Sequence, residues 1–274
     1  MDQAAVLRAY DAQLRRSVVP PAPGWTVAML DDPAPVLRVT APPGAQWGDG
    51  VVWSDLDESS ADAAIVSAVA HFRELGRVFE WKHHGYDLPS NLPERLRAAG
   101  FEPEDEETLM AGEVAEVRER LASAPAPAPE GVTVRRLRED PDGRAADWSM
   151  VNAVHSAVWD EDSSGLVREV SAEHAADSSA MSVWVAEVDD GMLVCAAWVR
   201  FHEGTEFASL WGGSTLEQWR GRGIYKALVS RRADEAAERG VRYLQVDASD
   251  ESRPILERLG MHKLTSTTPW MWRP

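Results

Sequence analysis

Residues 216–228 read LEQWRGRGIYKAL. The stretch sets Arg220, Gly221, Arg222 and Gly223 between a strand-like run, EFASLWGGSTL (206–216), and a helix-forming run that Gly240 ends. Strand, glycine-rich turn and helix make an arrangement that binds phosphate. The first amides of a helix have no intrahelical partner and lie at the positive end of its dipole. An anion is stabilised there. Gly221 and Gly223 let those amides approach it without a Cβ in the way, and Arg220 and Arg222 add full charges. Three phosphate loops share this outline. The Walker form ends in Gly-Lys-Ser/Thr, which is absent. The dinucleotide form needs a third glycine, where Tyr225 and Lys226 follow instead. The third is the pyrophosphate turn Arg/Gln-x-x-Gly-x-Gly/Ala. Standing alone, RGRG would be a charged surface turn; the flanking strand and helix are what give it weight.

The positive turn sits in a chain of net charge −17, from 45 acids and 28 bases. Such a balance argues against a nucleic-acid partner, whose phosphates require a basic surface, and against anionic membrane surfaces. The longest uncharged apolar run, MLVCAAWV, is far too short to span a bilayer. The N-terminus, MDQAAVLRAYDAQLRR, has the pattern of an amphipathic helix and lacks the apolar core of a leader peptide. A cytoplasmic protein, monomer or homodimer, is expected. The single cysteine, Cys195, lies inside the apolar run and reads as a small core residue. With no cysteine or carboxylate cluster at ligand spacing, no metal is expected.

The segment LASAPAPAPE (121–130) alternates alanine and proline, as an extended spacer does. It leaves two domain-sized parts, 1–120 and 131–274. In the second part, GVTVRRLRE reads as a strand and 147–160 and 165–177 as two helices. SVWVAEVDDGMLVCAAWVRF (182–201) reads as a hairpin turning at Asp189-Asp190-Gly191. The strand at 206–216 contains Gly212-Gly213, which suggests a bulge or the close approach of another backbone or a ligand. A helix to Arg239, a strand at 241–248, a short helix at 252–260 and a closing strand follow. The first part repeats the end of this order: strand 51–56, helix 61–76, strand 77–85, helix 92–100 and a strand pair at 101–113. A duplicated architecture is expected.

The stretch 131–274 resembles the GNAT N-acetyltransferases. RGRGIYKAL stands at the family's pyrophosphate turn, and ILERLGM (255–261) at its Leu-Tyr-x-x-x-Gly-Phe region. The hairpin and the two helices upstream fall in the family's order. The resemblance implies an α+β fold of two tandem GNAT-like modules, each a mixed, largely antiparallel sheet flanked by helices. It implies acetyl-CoA as cofactor and a primary amine, of a small molecule, as acceptor. Backbone amides of Arg220, Gly221, Arg222, Gly223, Ile224 and Tyr225 would hold the pyrophosphate. Gly213 and Thr215 would pair with the pantetheine arm, and Ser249 stands where an Asn often contacts the cofactor. The strands 206–216 and 241–248 would splay to admit the thioester. Two departures stand out: Tyr225 occupies the last Gly/Ala of the turn, and Leu256 the place of a Tyr that protonates the leaving thiolate. The second keeps open a different function, an acyl-CoA-binding module without turnover.

Acetyl transfer needs an amine freed of its proton and held against the thioester. Glu206, at the start of the strand that would line the cleft, is the first candidate base; His202 stands in the preceding turn. His155, Trp159 and Asp160, around the end of the first helix, and Trp211, beside the paired glycines, are candidates for the acceptor pocket. The first part lacks the turn. After VVWSDL comes LDESSAD, whose Asp57, Glu58 and Asp62 suit a helix start and repel a pyrophosphate. It reads as a degenerate, non-catalytic module.

Overall fold

The computed structural model describes every residue except Val19, Pro21, Ala22, Gln46, Ala126 and Pro127. In chain order the elements are α1 (Gln3–Tyr10), continued by a π-helical turn to Arg15, β1 (Thr26–Leu30), β2 (Val36–Thr40), β3 (Gly50–Ser54), α2 (Ala61–Leu75), β4 (Phe79–His84), α3 (Leu92–Ala98), β5 (Glu102–Pro103), β6 (Glu107–Glu113), α4 (Val114–Ser123), β7 (Val132–Arg136), α5 (Pro141–Trp159), α6 (Ser164–Ala176), β8 (Met181–Val188), β9 (Leu193–Phe201), β10 (Phe207–Thr215), α7 (Ile224–Glu238), β11 (Tyr243–Ala248), α8 (Arg253–Arg258) and β12 (His262–Trp272). No helix among the described residues is long and apolar enough to cross a membrane.

The residues group into two compact units. One holds 2–110, 247–250 and 263–274; the other holds 111–246 and 251–262. Each is a mixed, largely antiparallel sheet that includes a parallel pair. In the first unit β1, β2 and β3 pair antiparallel, β3 pairs parallel with β4, and β4 pairs antiparallel with β12. In the second, β7 to β10 pair antiparallel in sequence order and β10 pairs parallel with β11. Both parallel pairs are joined through a helix, β3-α2-β4 and β10-α7-β11. The duplicated order expected from the sequence is therefore present. Of the proposed spacer, Leu121–Ser123 close α4, while Ala126 and Pro127 lie outside the described residues.

The core of the first unit is aromatic. α2 buries Ala61, Ala64, Ile65, Ala68, Val69 and Phe72, the i, i+3, i+4 stripe of a one-sided helix. Phe72 stacks on Phe79 of β4 with centroids 4.3 Å apart; Phe101 meets Phe79 edge-on at 5.2 Å, and Trp272 of β12 lies 5.8 Å from it. Burying each such ring stabilises by roughly 1.5–3 kcal/mol. Trp270 and Trp272 thus belong to the core formed by α2, β3 and β4. In the second unit α5 and α6 cover one face of β8 and β9, through Val151, Val154, Val167, Val170 and Trp198. Ile224 and Leu228 of α7 cover the other, against Val194, Cys195 and Ala197.

Because β12 pairs with β4 from Thr267↔His84 to Trp272↔Phe79, a fragment lacking residues 1–120 loses the partner of that strand and the cover of both tryptophans. Such a fragment is expected to aggregate on purification, as an exposed apolar edge strand does. A monodisperse 121–274 fragment in gel filtration would overturn this.

Candidate active site

β10 begins as an inner strand. Phe207, Ala208 and Ser209 pair with Tyr243, Leu244 and Gln245 of β11, and β9 lies along the other edge. The β11 pairing goes no further than Ser209, whereas β10 runs on to Thr215 beside β9. The parallel strands therefore part over the second half of β10. The parting coincides with a bulge, since the register against β9 shifts between Trp211 and Ser214. Gly212 makes it possible: its φ is +63°, and a Cβ there would lie 2.0 Å from the Trp198 ring. A Cβ on Gly213 would lie 2.7 Å from the Tyr225 ring. The bulge expected from the paired glycines is present; what comes close to them is the side-chain rings of Trp198 and Tyr225 rather than another backbone.

Side chains from both faces hold the bulge. From α5, His155 Nε2 lies 3.1 Å from the Gly212 carbonyl oxygen. A carbonyl only accepts, so Nε2 carries the proton and Nδ1 the lone pair. Nδ1 faces Ser214 Oγ at a long 3.5 Å, and Ser214 Oγ accepts from Trp159 Nε1 at 3.2 Å. Burial pushes the His155 imidazole down to about 4, which keeps it neutral at neutral pH. From α7, Arg232 Nη1 donates to the carbonyls of Trp198 and Trp211, at 3.2 and 3.5 Å.

After Thr215 the chain makes one 3-10 turn (Glu217–Trp219) and reaches the arginine–glycine segment. Gly221 and Gly223 have φ of +73° and +83°, and Gly223 is the residue from which α7 starts. Nothing lies within 4 Å of where a Gly221 Cβ would be. No side chain caps α7, and its first turn contains no acid. Ile224 is buried and anchors that turn. Arg222 lies over the Trp219 ring at 4.8 Å. Arg220 donates through Nε to the Thr215 carbonyl at 3.2 Å, and its Nη1 is 3.9 Å from Glu251. Thr215 Oγ1 meets Cys195 Sγ at 3.1 Å. Bare amides, open space and two arginines suit a diphosphate.

The corresponding start of α2 is built the other way. Asp57 Oδ1 accepts from the amides and hydroxyls of both Ser59 and Ser60. These bonds, the Ser59 hydroxyl foremost, hold the Asp57 carboxyl down at about 2. An anionic side chain occupies the place that an external anion would need.

The other sequence candidates are placed as follows. Glu206 directly precedes β10, at the end paired with β11; its carboxylate lies 2.9 Å from Arg242 Nη1. The splayed half lies beyond Ser209, so the strand does not bring Glu206 to it. His202 Nε2 is 2.6 Å from Ser209 Oγ, and burial pushes this imidazole also to about 4. Trp159 and Trp211 are 57% and 43% exposed, large apolar surfaces for their size. Asp160 ends α5 with φ of +52°. Ser249 belongs to segment 247–250, which groups with the first unit. Leu256 is fully buried. Sequence reasoning missed Ser214 and Arg232. The second left a signal: Arg232 stands four residues after Leu228 and eight after Ile224, on the buried stripe of α7.

Comparison with known proteins agrees with this geometry. Residues 148–261 match the acetyltransferase (GNAT) family model. No curated protein matches the sequence. Among solved structures, the chain is similar to a GCN5-related N-acetyltransferase from Kribbella flavida, with 17% identity over 100% of this chain and 96% of that one, at a TM-score of 0.66. It is similar to a tandem GNAT protein from the clavulanic acid biosynthesis pathway, solved without AcCoA, with 14% identity over 99% and 94% and a TM-score of 0.63. A GCN5-related N-acetyltransferase from Sphaerobacter thermophilus aligns with 18% identity over 87% and 81%, at 0.56. Residues 148–261 thus match the GNAT family, and the chain has the fold of these GCN5-related N-acetyltransferases, a tandem GNAT protein among them.

Proposed function

We propose that residues 131–274 carry an acetyl-CoA-dependent N-acetyltransferase acting on a primary amine of a small molecule, and that residues 1–120 are a degenerate module without turnover. One observation carries the proposal: an uncapped, glycine-bare helix start stands just beyond a strand that has left its parallel neighbour. The amides of Arg220 to Tyr225 suit the pyrophosphate. The open edge of β10 at Gly213 and Thr215 suits the pantetheine arm, as an added strand would. The closed start of α2 supports the degenerate role of the first module.

When bound, the thioester supplies an acyl group that is already activated. The chain then has to orient the amine, exclude water and let a proton leave. Trp159 offers an aromatic face that attracts a cationic amine, with Asp160 and His155 beside it, while Trp211, whose ring lies under Arg200 at 4.9 Å, is proposed as a wall of the acceptor pocket. Glu206 is proposed to receive the amine proton through water. A second function, acyl-CoA binding without turnover, is favoured by one residue, Leu256. It is buried where family members carry the tyrosine that protonates the thiolate. Release of free thiol across a panel of amines separates the two.

Gly221→Asp puts a carboxylate beside the proposed diphosphate. At about 4 Å the repulsion is ~1–4 kcal/mol, so calorimetry should register a roughly 10- to 1000-fold loss of coenzyme A affinity. Gly221→Asn, which adopts positive φ equally well, should lose much less. Equal affinities for wild type and the Asp variant would refute the assignment.

Glu206→Gln keeps shape and removes the proton acceptor. Because water must carry the proton, turnover is expected to fall by roughly 10²-fold, the low end for a positioned base, with a flattened acidic limb in the pH–rate profile. Coenzyme A affinity should hold. An unchanged profile would remove Glu206 from the reaction and leave the transferase assignment standing.

A further inference from the structure

Trp159 ends α5 and is 57% exposed, so water could satisfy its indole N–H. The N–H nevertheless turns inward. Nε1 donates to Ser214 Oγ at 3.2 Å, on the bulge of β10. Two buried tryptophans, Trp198 and Trp270, leave the same atom without a partner. The exposed ring is therefore the one whose orientation is specified. Its acceptor is specified too. Ser214 is fully buried, and an alanine there would need no partner at all.

Both ends of the hydrogen-bond chain fix its direction. The indole nitrogen only donates, and the Gly212 carbonyl only accepts. Trp159 Nε1 donates to Ser214 Oγ, the Ser214 hydroxyl turns its proton towards His155 Nδ1 at 3.5 Å, and His155 Nε2 donates to Gly212 at 3.1 Å. No group in the chain can reverse without setting two donors or two acceptors face to face. His155 is 1% exposed, so it reaches solvent only through Ser214 and Trp159. The backbone fixes the root of the ring. Asp160, which follows it, is the one non-glycine residue with positive φ among the described residues, and its N–H donates to the Ser156 carbonyl. A residue persists in that region only where its surroundings determine it. With its edge bonded and its root fixed, the indole presents a face to solvent in one orientation.

Resting on the acceptor role given to Trp159 in the transferase reading, we propose that Ser214 and His155 are positioning residues, which hold the indole so that its exposed face receives the ammonium group of the incoming acceptor. A cation over an indole face is attracted by the ring quadrupole. The attraction is larger in net terms when the ring is already oriented, because no rotamer freedom is then lost on binding. His155 thus acts on the acceptor through Ser214 and Trp159 and not by contact.

The ring itself supplies the test. The protein is labelled with 5-fluorotryptophan, and the Trp159 line of the fluorine NMR spectrum is assigned by its loss in Trp159→Phe. Tetramethylammonium chloride, a cation that cannot be acetylated, is titrated against sodium chloride at equal ionic strength. In wild type the Trp159 line is expected to be single and to move with tetramethylammonium. In Ser214→Ala it should broaden or split, and its response should fall by about 2- to 10-fold, the range of one net hydrogen bond. Ser214→Cys, which fills the site with a weaker acceptor, should lie between the two, and it carries the measurement where the alanine variant does not fold. Nitrogen NMR reads the other end of the chain: His155 should carry its proton on Nε2, with an Nδ1 shift that changes in the serine variants. A wild-type line that tetramethylammonium does not move, a line of the same shape and response in wild type and the serine variants, or a proton on Nδ1 overturns the proposal. Coenzyme A calorimetry on the same samples separates this failure from that of the transferase reading. Wild type that binds coenzyme A while its ring ignores Ser214 loses the positioning role alone. Wild type that binds no coenzyme A loses the transferase reading, and the acceptor role of Trp159 with it.

Discussion

The properties of the arginine–glycine turn depend on β10 giving up one of its two neighbours. An inner strand satisfies its amides and carbonyls on both edges, and a buried strand that loses one ladder must find other partners for them. Here β11 is left after Ser209, and the bulge turns the carbonyls of Trp211 and Gly212 away from regular pairing. Arg232 takes the first from one face of the sheet and His155 takes the second from the other. Gly212 allows the deformation because the Trp198 ring fills the space a side chain would use. What remains unpaired is an edge of main chain that leads towards an uncapped helix. The cleft is therefore a property of backbone geometry first, and of side chains second.

The same strand–helix–strand unit occurs twice with opposite outcomes. At α7 the helix start is bare, positive and open; at α2 the Asp57 carboxylate and two serines fill it. At α2 the amides leading into the helix are taken by the chain's own carboxylate; at α7 no side chain takes them. Only α7 leaves them available to something outside the chain.

Much of this was legible beforehand. The hairpin, the α7 turn, the paired glycines and the element order of both halves follow from periodicity and from Gly and Pro. β1, β2 and α4 did not. β1 is a half-exposed strand among prolines and lacks an apolar alternation. α4 leaves β6 without a capping side chain to mark its start. The site was legible where main chain makes it and illegible where tertiary contacts do. Nothing local in the sequence says that His155 meets a carbonyl 57 residues away, or that Arg232 is buried without a counter-ion among the described residues. Nor does composition, which marks a spacer at 121–130, reveal that residues 263–274 lie with 2–110.

That last placement bears on how the chain comes to be folded. Domains generally fold as units during synthesis, the N-terminal one first. Here the unit that contains residues 2–110 cannot close its sheet until β12 has been made, because Trp270 and Trp272 complete the aromatic cluster around Phe79. Until then β4 presents an open edge. Pairing so distant in sequence carries a large loop-closure penalty and slows folding. The nascent N-terminal half thus keeps an unfinished sheet, with β4 unpaired on that edge, until the last strand has been translated.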